Sequence, residues 1–213
     1  MISLIVPVLN EPMINDFTAR LADELGYSKE KWEIIIVMGD KETLLKKPIE
    51  KPNVTTIRCY GDSLERSILT GVSTAHGEKI IVMDGDGSHE VSGVSFIAEK
   101  LDEYEMVVGS RFMHNSTFKQ SRARKFVSRS FLTLAKMSGS RLTDPMSGFF
   151  GVRRYILDRV RFKPFKWKVC LEIELKAKPS ILEFPIHFQE RQGGNSKSSL
   201  AIGINLIWDL ITL

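Results

Sequence analysis

The chain has 213 residues, 43% apolar and 26% charged, with a net charge of +4, proportions that suit one soluble domain burying a core without crosslinks. Its two cysteines, Cys59 and Cys170, are too few and too far apart for a disulfide framework or a zinc site, and they suit a reducing compartment. The start lacks a basic n-region and a small-residue cleavage site, and no apolar run approaches the ~18 residues of a membrane span, so neither a secretory leader nor a spanning helix is expected within the chain.

Short β-branched runs alternate with amphipathic stretches through the first half, the pattern of βαβ units around a mainly parallel sheet. Residues 3–8 form the first expected strand. Asn10-Glu11-Pro12 breaks it, and 13–25 has helical spacing at Ile14, Phe17, Leu21 and Leu25, with Gly26 as its stop. The Ile-Ile-Ile-Val run within 33–38 predicts a strand buried on both faces. A third strand at 55–59, a helix at 64–74, a fourth strand at 79–83, a helix at 94–101 and a fifth strand at 106–109 follow. Beyond Gly109 the pattern changes. Residues 122–137 have helical spacing, with Arg122, Arg124, Lys125 and Arg129 close together and an apolar side of Phe126, Phe131, Leu132 and Leu134. Strands are expected at 149–152 and 181–188, short helices at 155–160 and 171–178, and a flexible loop at 192–199. With no internal repeat or linker, residues 1–199 are expected to form one domain. The apolar stretch 200–213 is too short to span a membrane and is suited either to an interface or to the core.

The small net charge hides an asymmetry. Residues 1–110 carry 11 Lys and Arg against 19 Asp and Glu, whereas 111–168 carry 15 against 2. Such a cationic middle third attracts phosphate, whether on nucleic acid, an anionic membrane or a phosphorylated substrate.

The sharpest local feature is Asp84-Gly85-Asp86-Gly87-Ser88-His89, directly after the strand at 79–83. Ligands of open α/β sheets collect outside the carboxyl ends of strands, so these carboxylates stand where a substrate would bind. Two such groups can share a hard cation and leave positions for water and phosphate oxygens. An EF-hand calcium loop fails the count, since its twelfth position would be Ser95. A phosphatase using Asp84 as an aspartyl nucleophile matches the turn but lacks the downstream acidic pair that such enzymes need. A nucleic-acid-binding module would explain the basic stretch but not the aspartates, and no RNA-binding aromatic signature accompanies it.

A further resemblance runs along the chain. Leu4-Ile-Val-Pro-Val-Leu-Asn-Glu11, the Asp84/Asp86 turn with Ser88-His89, Gly109-Ser-Arg111, Asp144-Pro-Met-Ser-Gly-Phe149, and Arg191 with Lys197 stand in the order found in glycosyltransferase family 2. Within that family the chain most resembles dolichol-phosphate mannosyltransferases and related polyprenyl-phosphate glycosyltransferases. The resemblance implies a GT-A fold, a Rossmann-like, mainly parallel sheet flanked by helices. It implies that Pro7, Asn10, Glu11 and Asp40 line a nucleotide-sugar pocket together with Asp84, Asp86 and Arg111. Asp84, Asp86 and Ser88 would surround Mg²⁺ or Mn²⁺. Asp86 and Arg111 would act in catalysis, and Arg124, Ser128, Arg191 and Lys197 would seat a lipid phosphate. The chain departs from the family at Val37-Met38-Gly39-Asp40, where many members have consecutive aspartates to hold the base, and at Ser88, a weaker ligand than an amide or carboxylate.

The implied reaction is inverting transfer of a sugar, with GDP-mannose as first donor and UDP-glucose as its rival, to dolichyl or polyprenyl phosphate, with a non-lipid acceptor as the alternative. The implied setting is the cytoplasmic face of a membrane, reached through the membrane surface or a membrane-anchoring partner subunit, with no nucleic acid involved. The basic helix at 122–137 and the segment 200–213 are the elements suited to such a surface.

Overall fold

The computed structural model describes residues 1–42, 49–61, 63–114, 116, 122–162 and 168–187, with the backbone alone at 122–129. Strands β1 (Ile2–Val8), β2 (Trp32–Met38), β3 (Val54–Arg58) and β4 (Lys79–Val82) carry the β-branched runs, and α1 (Ile14–Gly26) and α2 (Leu64–Thr74) lie among them. The chain continues through α3 (Ser92–Lys100), β5 (Met106–Ser110), α4 (Arg122–Met137), β6 (Phe150–Arg153), α5 (Arg154–Leu157), α6 (Val169–Ala177) and β7 (Ile181–Pro185). The strands form one sheet in the order β3-β2-β1-β4-β6-β5-β7.

Within that sheet β6 runs antiparallel to both its neighbours, and the other pairings are parallel. The carboxyl ends of β1, β4 and β5 therefore share one edge with the start of β6. Between β1 and β4 the strand order reverses, which opens the crevice where sheets of this kind take ligands.

Alternation along the strands sends side chains to two cores. Leu4, Val6, Ile34 and Ile36 meet Phe17 and Leu21 of α1 and Val94 and Ile97 of α3 on one face. Ile5, Ile35 and Val37 meet Ile68 of α2, Ile156 of α5 and Ile173 of α6 on the other. Both cysteines are buried and unpaired in disulfides, and burial pushes the Cys170 thiol well up, away from reactivity. Phe131 and Ala135 of α4 pack against Leu171 of α6, so the apolar side of α4 faces protein in its described half. Phe126 and the segment 200–213 lie outside the described side chains. Among the described residues no helix is long and apolar enough to cross a membrane.

The expected elements are all present where they can be seen, with shifted ends. The helix expected at 94–101 begins at Ser92, and that expected at 155–160 is the single turn α5. Gly26 ends α1 without a left-handed turn, because the capping residue is Tyr27 at φ −81°. The left-handed cap falls instead on Lys178, φ 51°, after α6.

At the opposite edge Lys79, almost fully buried, donates to Glu30 at 2.5 Å and Asp102 at 2.9 Å, and the N-terminal ammonium also reaches Glu30. Helix α2 is held close to the sheet by Gly71, where a Cβ would lie 2.5 Å from Ile5 Cγ2. Gly71→Ala should therefore cost about 1–2 kcal/mol net, the overpacking outweighing the better helix propensity. Thermal melting should record a drop of about 2–8 °C.

Candidate active site at the carboxyl edge of the sheet

The loop after β4 is less exposed than a turn of Asp and Gly suggests. Asp86 is 8% exposed, Ser88 0% and His89 4%. Gly87 turns the chain at φ 71°, and Ser88 then donates to Asp86 Oδ1 through both its backbone N–H at 3.0 Å and its hydroxyl at 2.5 Å. Ser88 thus braces Asp86, a task distinct from the ligand role that the family resemblance implies. Asp84 is one-third exposed, its Oδ2 is 3.8 Å from His89 Nε2, and the His89 ring packs on Phe149 at 5.1 Å. A Cβ on Gly148 would come within 2.5 Å of Asp84 Oδ2, so the carboxylate can settle there only against glycine.

The residues on which Asp84 rests belong to the loop entering β6, and that loop is bound to β5 and β7. Asp144, fully buried, accepts from Arg111 Nε at 2.7 Å, Nη2 at 2.8 Å and the backbone N–H at 3.2 Å. Burial opposes the Arg111 charge, but the bonds and charge of Asp144, with Asp84 adding, hold that guanidinium above its ordinary pKa. Glu183 of β7 accepts from Thr143 N–H at 2.9 Å and its hydroxyl at 2.8 Å. Ser147 Oγ donates to Gly109 O at 2.7 Å. Arg111 and Asp84 are thereby brought into one electrostatic field from residues 27 positions apart in the sequence.

Across the crevice, Pro7 is buried in β1 opposite Val37, beyond the stretch in which β1 pairs with β4. Asn10 adopts the left-handed φ of 58°, and its N–H donates to Glu42 Oε2 at 2.5 Å while Nδ2 reaches Lys41 O at 3.3 Å. Glu11 is half-buried and its carbonyl accepts from Ile14 N–H at the start of α1. Asp40 is exposed, whereas Glu42 two residues on is 7% exposed and holds the Asn10 turn.

Glu42, Asp144 with Glu183, and Lys168 are the site residues for which sequence reasoning gave no role. Lys168 stands at the start of α6, where burial first and Arg111 second bring its pKa down to about 8, with Asp144 and Asp84 opposing. Its only sequence signal is a cation at the head of an apolar helix. Arg124 and Ser128 stand in the part of α4 described by backbone alone, and Arg191 and Lys197 lie outside the described residues.

No group of three or more His, Cys, Asp or Glu fit to hold a metal occurs among the described residues. Asp84 and Asp86 do suit Mg²⁺ or Mn²⁺ in another way. Two hard carboxylates, one seated in the cradle of Gly148 and one braced by Ser88, match an ion that completes its shell with water and phosphate oxygens.

The family model for glycosyl transferase family 2 matches residues 3–161. The dolichol-phosphate mannosyltransferase of Pyrococcus furiosus is 25% identical over 208 residues, covering 92% of this chain and 58% of that protein. The protein of the same name from Mycosarcoma maydis is 26% identical over 230 residues, covering 99% and 78%. The chain thus spans under two-thirds of the length of the Pyrococcus protein. Among solved structures, glucosyl-3-phosphoglycerate synthase from Mycobacterium tuberculosis, in complex with Mn²⁺, UDP-glucose and phosphoglyceric acid, superposes with a TM-score of 0.73 at 14% identity, covering 100% of this chain and 79% of that one. The sheet order, the placement of the aspartates at the switch point and a family match over most of the chain agree: the chain has the α/β GT-A fold and belongs to glycosyltransferase family 2.

Proposed function

We propose that the chain transfers a sugar from a nucleoside diphosphate to the phosphate of a polyprenol, with GDP-mannose as the donor and dolichyl or polyprenyl phosphate as the acceptor. The observation that carries this reading is the meeting of the Asp84/Asp86 turn with the Arg111–Asp144 pair at the switch point of the sheet. A relative from Enterobacter sp. (strain 638), an undecaprenyl-phosphate 4-deoxy-4-formamido-L-arabinose transferase, is 26% identical over 225 residues, covering 99% of this chain and 66% of that protein. It shares with the two dolichol-phosphate mannosyltransferases a polyprenyl phosphate in its name. The basic segment 111–168 gives the protein a surface for such an acceptor and for an anionic bilayer, in keeping with action at the cytoplasmic face of a membrane, alone or with an anchoring partner subunit. UDP-glucose is the competing donor, since Val37-Met38-Gly39-Asp40 stands where many family members have consecutive aspartates to hold the base, which leaves the base unassigned by that motif.

The chemistry asks little acid–base work of the protein. A phosphate monoester has a second pKa of about 6, so near neutrality it is already an oxyanion nucleophile. It attacks the sugar C1, the bond from C1 to the diphosphate oxygen breaks, and the nucleoside diphosphate leaves, inverting the anomeric centre. The protein must align the acceptor and meet the charge that grows on the leaving diphosphate. Bound by Asp84 and Asp86, Mg²⁺ or Mn²⁺ would neutralise diphosphate charge. Arg111 adds a cation whose orientation Asp144 fixes before substrate arrives. Asn10, Pro7 and Glu11 form the wall toward the nucleoside, with Glu42 holding the shape of that wall.

Three measurements test the reading. Labelled sugar from GDP-mannose should appear in a short polyprenyl phosphate with Mg²⁺ or Mn²⁺ and not with EDTA; label only from UDP-glucose would change the donor, and label from neither, with folded protein in detergent, would refute the acceptor class. Asp86→Asn, which keeps an oxygen for Ser88, should lose about 100-fold or more in kcat while melting as the wild type does. Glu42→Ala should raise the donor KM about tenfold with kcat nearly kept, and Glu42→Gln, which still accepts from Asn10, should recover most of it.

A further inference from the structure

Three side chains link β7 to the point where the chain leaves β5. Glu183 accepts from the Thr143 hydroxyl at 2.8 Å, the Thr143 and Ser110 hydroxyl oxygens lie 2.6 Å apart, and Ser110 Oγ accepts from Phe112 N–H at 3.2 Å. A hydroxyl carries a single proton. That of Thr143 goes to the carboxylate, so the Ser110 hydroxyl is the donor in the contact between the two. The bonds therefore run one way, from Phe112 N–H through Ser110 and Thr143 to Glu183, an order in which each bond polarises and strengthens the next. Ser110 has no exposed surface, so bulk water does not stand in for a link lost there.

This relay acts on the two residues that flank Arg111. Asp144 binds the guanidinium along its edge, through Nε and Nη2, and the guanidinium carbon stands 5.6 Å over the centre of the Phe112 ring. The edge is thus fixed by a side chain across the loop, and the face by a ring whose place depends on the backbone turn that Ser110 holds. Glu183 ties the two grips together, since it also accepts from Thr143 N–H at 2.9 Å, one residue before Asp144. Such precision matters at a cation that must meet charge growing on one particular oxygen, where small displacements are costly. We infer that Ser110 and Thr143 are positioning residues for Arg111, their hydroxyls relaying the hold of Glu183 to the turn at 110–112 so that the guanidinium is aimed before a diphosphate binds. That the anion met by Arg111 is a diphosphate rests on the transfer reading.

Inorganic pyrophosphate with Mg²⁺ is the probe, because it carries neither sugar nor base. In calorimetric titration of the full chain, Thr143→Val, which keeps the shape and loses the hydroxyl, should bind it about fivefold or more weakly than the wild type, and Thr143→Ser should recover most of the loss. In Arg111→Lys, which keeps a cation beside Asp144 but not the planar grip, the same Thr143→Val change should alter affinity by less than about twofold. A general loosening of the loop would instead weaken both backgrounds by the same factor, and that result overturns the inference. Equal binding by Thr143→Val and the wild type overturns it too, as does failure of the wild type to bind pyrophosphate at millimolar concentration. If Thr143→Val does not melt cooperatively, Ser110→Ala breaks the relay in the same comparison. A wild type and variants that show the expected pattern, in a protein that transfers no sugar, would defeat the proposed reaction and leave the relay standing.

Discussion

The buried pair of Arg111 and Asp144 is the constraint on which the site depends. A carboxylate with no exposed surface is costly to desolvate, and ion pairs in such places often add little to stability. What the pair supplies is position. Asp144 takes three donors from Arg111, so the end of β5 and the loop entering β6 cannot move independently. Glu183 secures the same loop from β7, and Ser147 secures it to Gly109. Asp84 then rests on Gly148, so the geometry of one acidic turn is set by a loop that forms around another acid.

Charge is separated along the strand direction. At one edge of the sheet Lys79, Glu30, Asp102 and the N-terminus neutralise one another at short range. At the other, Arg111 is bound by the buried Asp144, with Asp84 and Lys168 in the same electrostatic field, and burial acts against both cations. The first arrangement has the properties of a clamp. The second gathers charges where burial opposes the cations, a pattern that clusters at functional sites.

Much of this was legible in the sequence because it depends on local pattern. Continuous β-branched runs such as that of β2 located the strands, and the spacing of Phe17, Leu21 and Leu25 located α1. Asp84 and Asp86 were legible because they directly follow a buried strand. The direction of β6 was not, since a strand as short as Phe150-Gly-Val-Arg153 carries no signal of which way it runs along the sheet. Glu42 escaped notice because its role is to bond the N–H of a residue 32 positions away, and Asp40, beside it in sequence, carries the same charge. Lys168 escaped for a similar reason: its charge is opposed by that of Arg111, 57 positions away, which no spacing encodes. In α4, Phe131 proved to face Leu171, since amphipathic spacing gives an apolar side without saying what covers it.

The antiparallel course of β6 bears on how such a protein can diversify. Because β5 leaves the sheet at the edge where β6 enters it, the intervening chain, α4 included, departs and returns between adjacent strands, with Gly109 N–H bonded to Phe149 O at 2.9 Å across the neck. A loop closed at its neck pays little for extra length, about 0.6 kcal/mol for each doubling. Its interior can be lengthened, shortened or exchanged without shifting the register of any strand. The sheet and its aspartates can therefore stay fixed while the part of the excursion ahead of the Asp144–Gly148 loop varies in length and sequence.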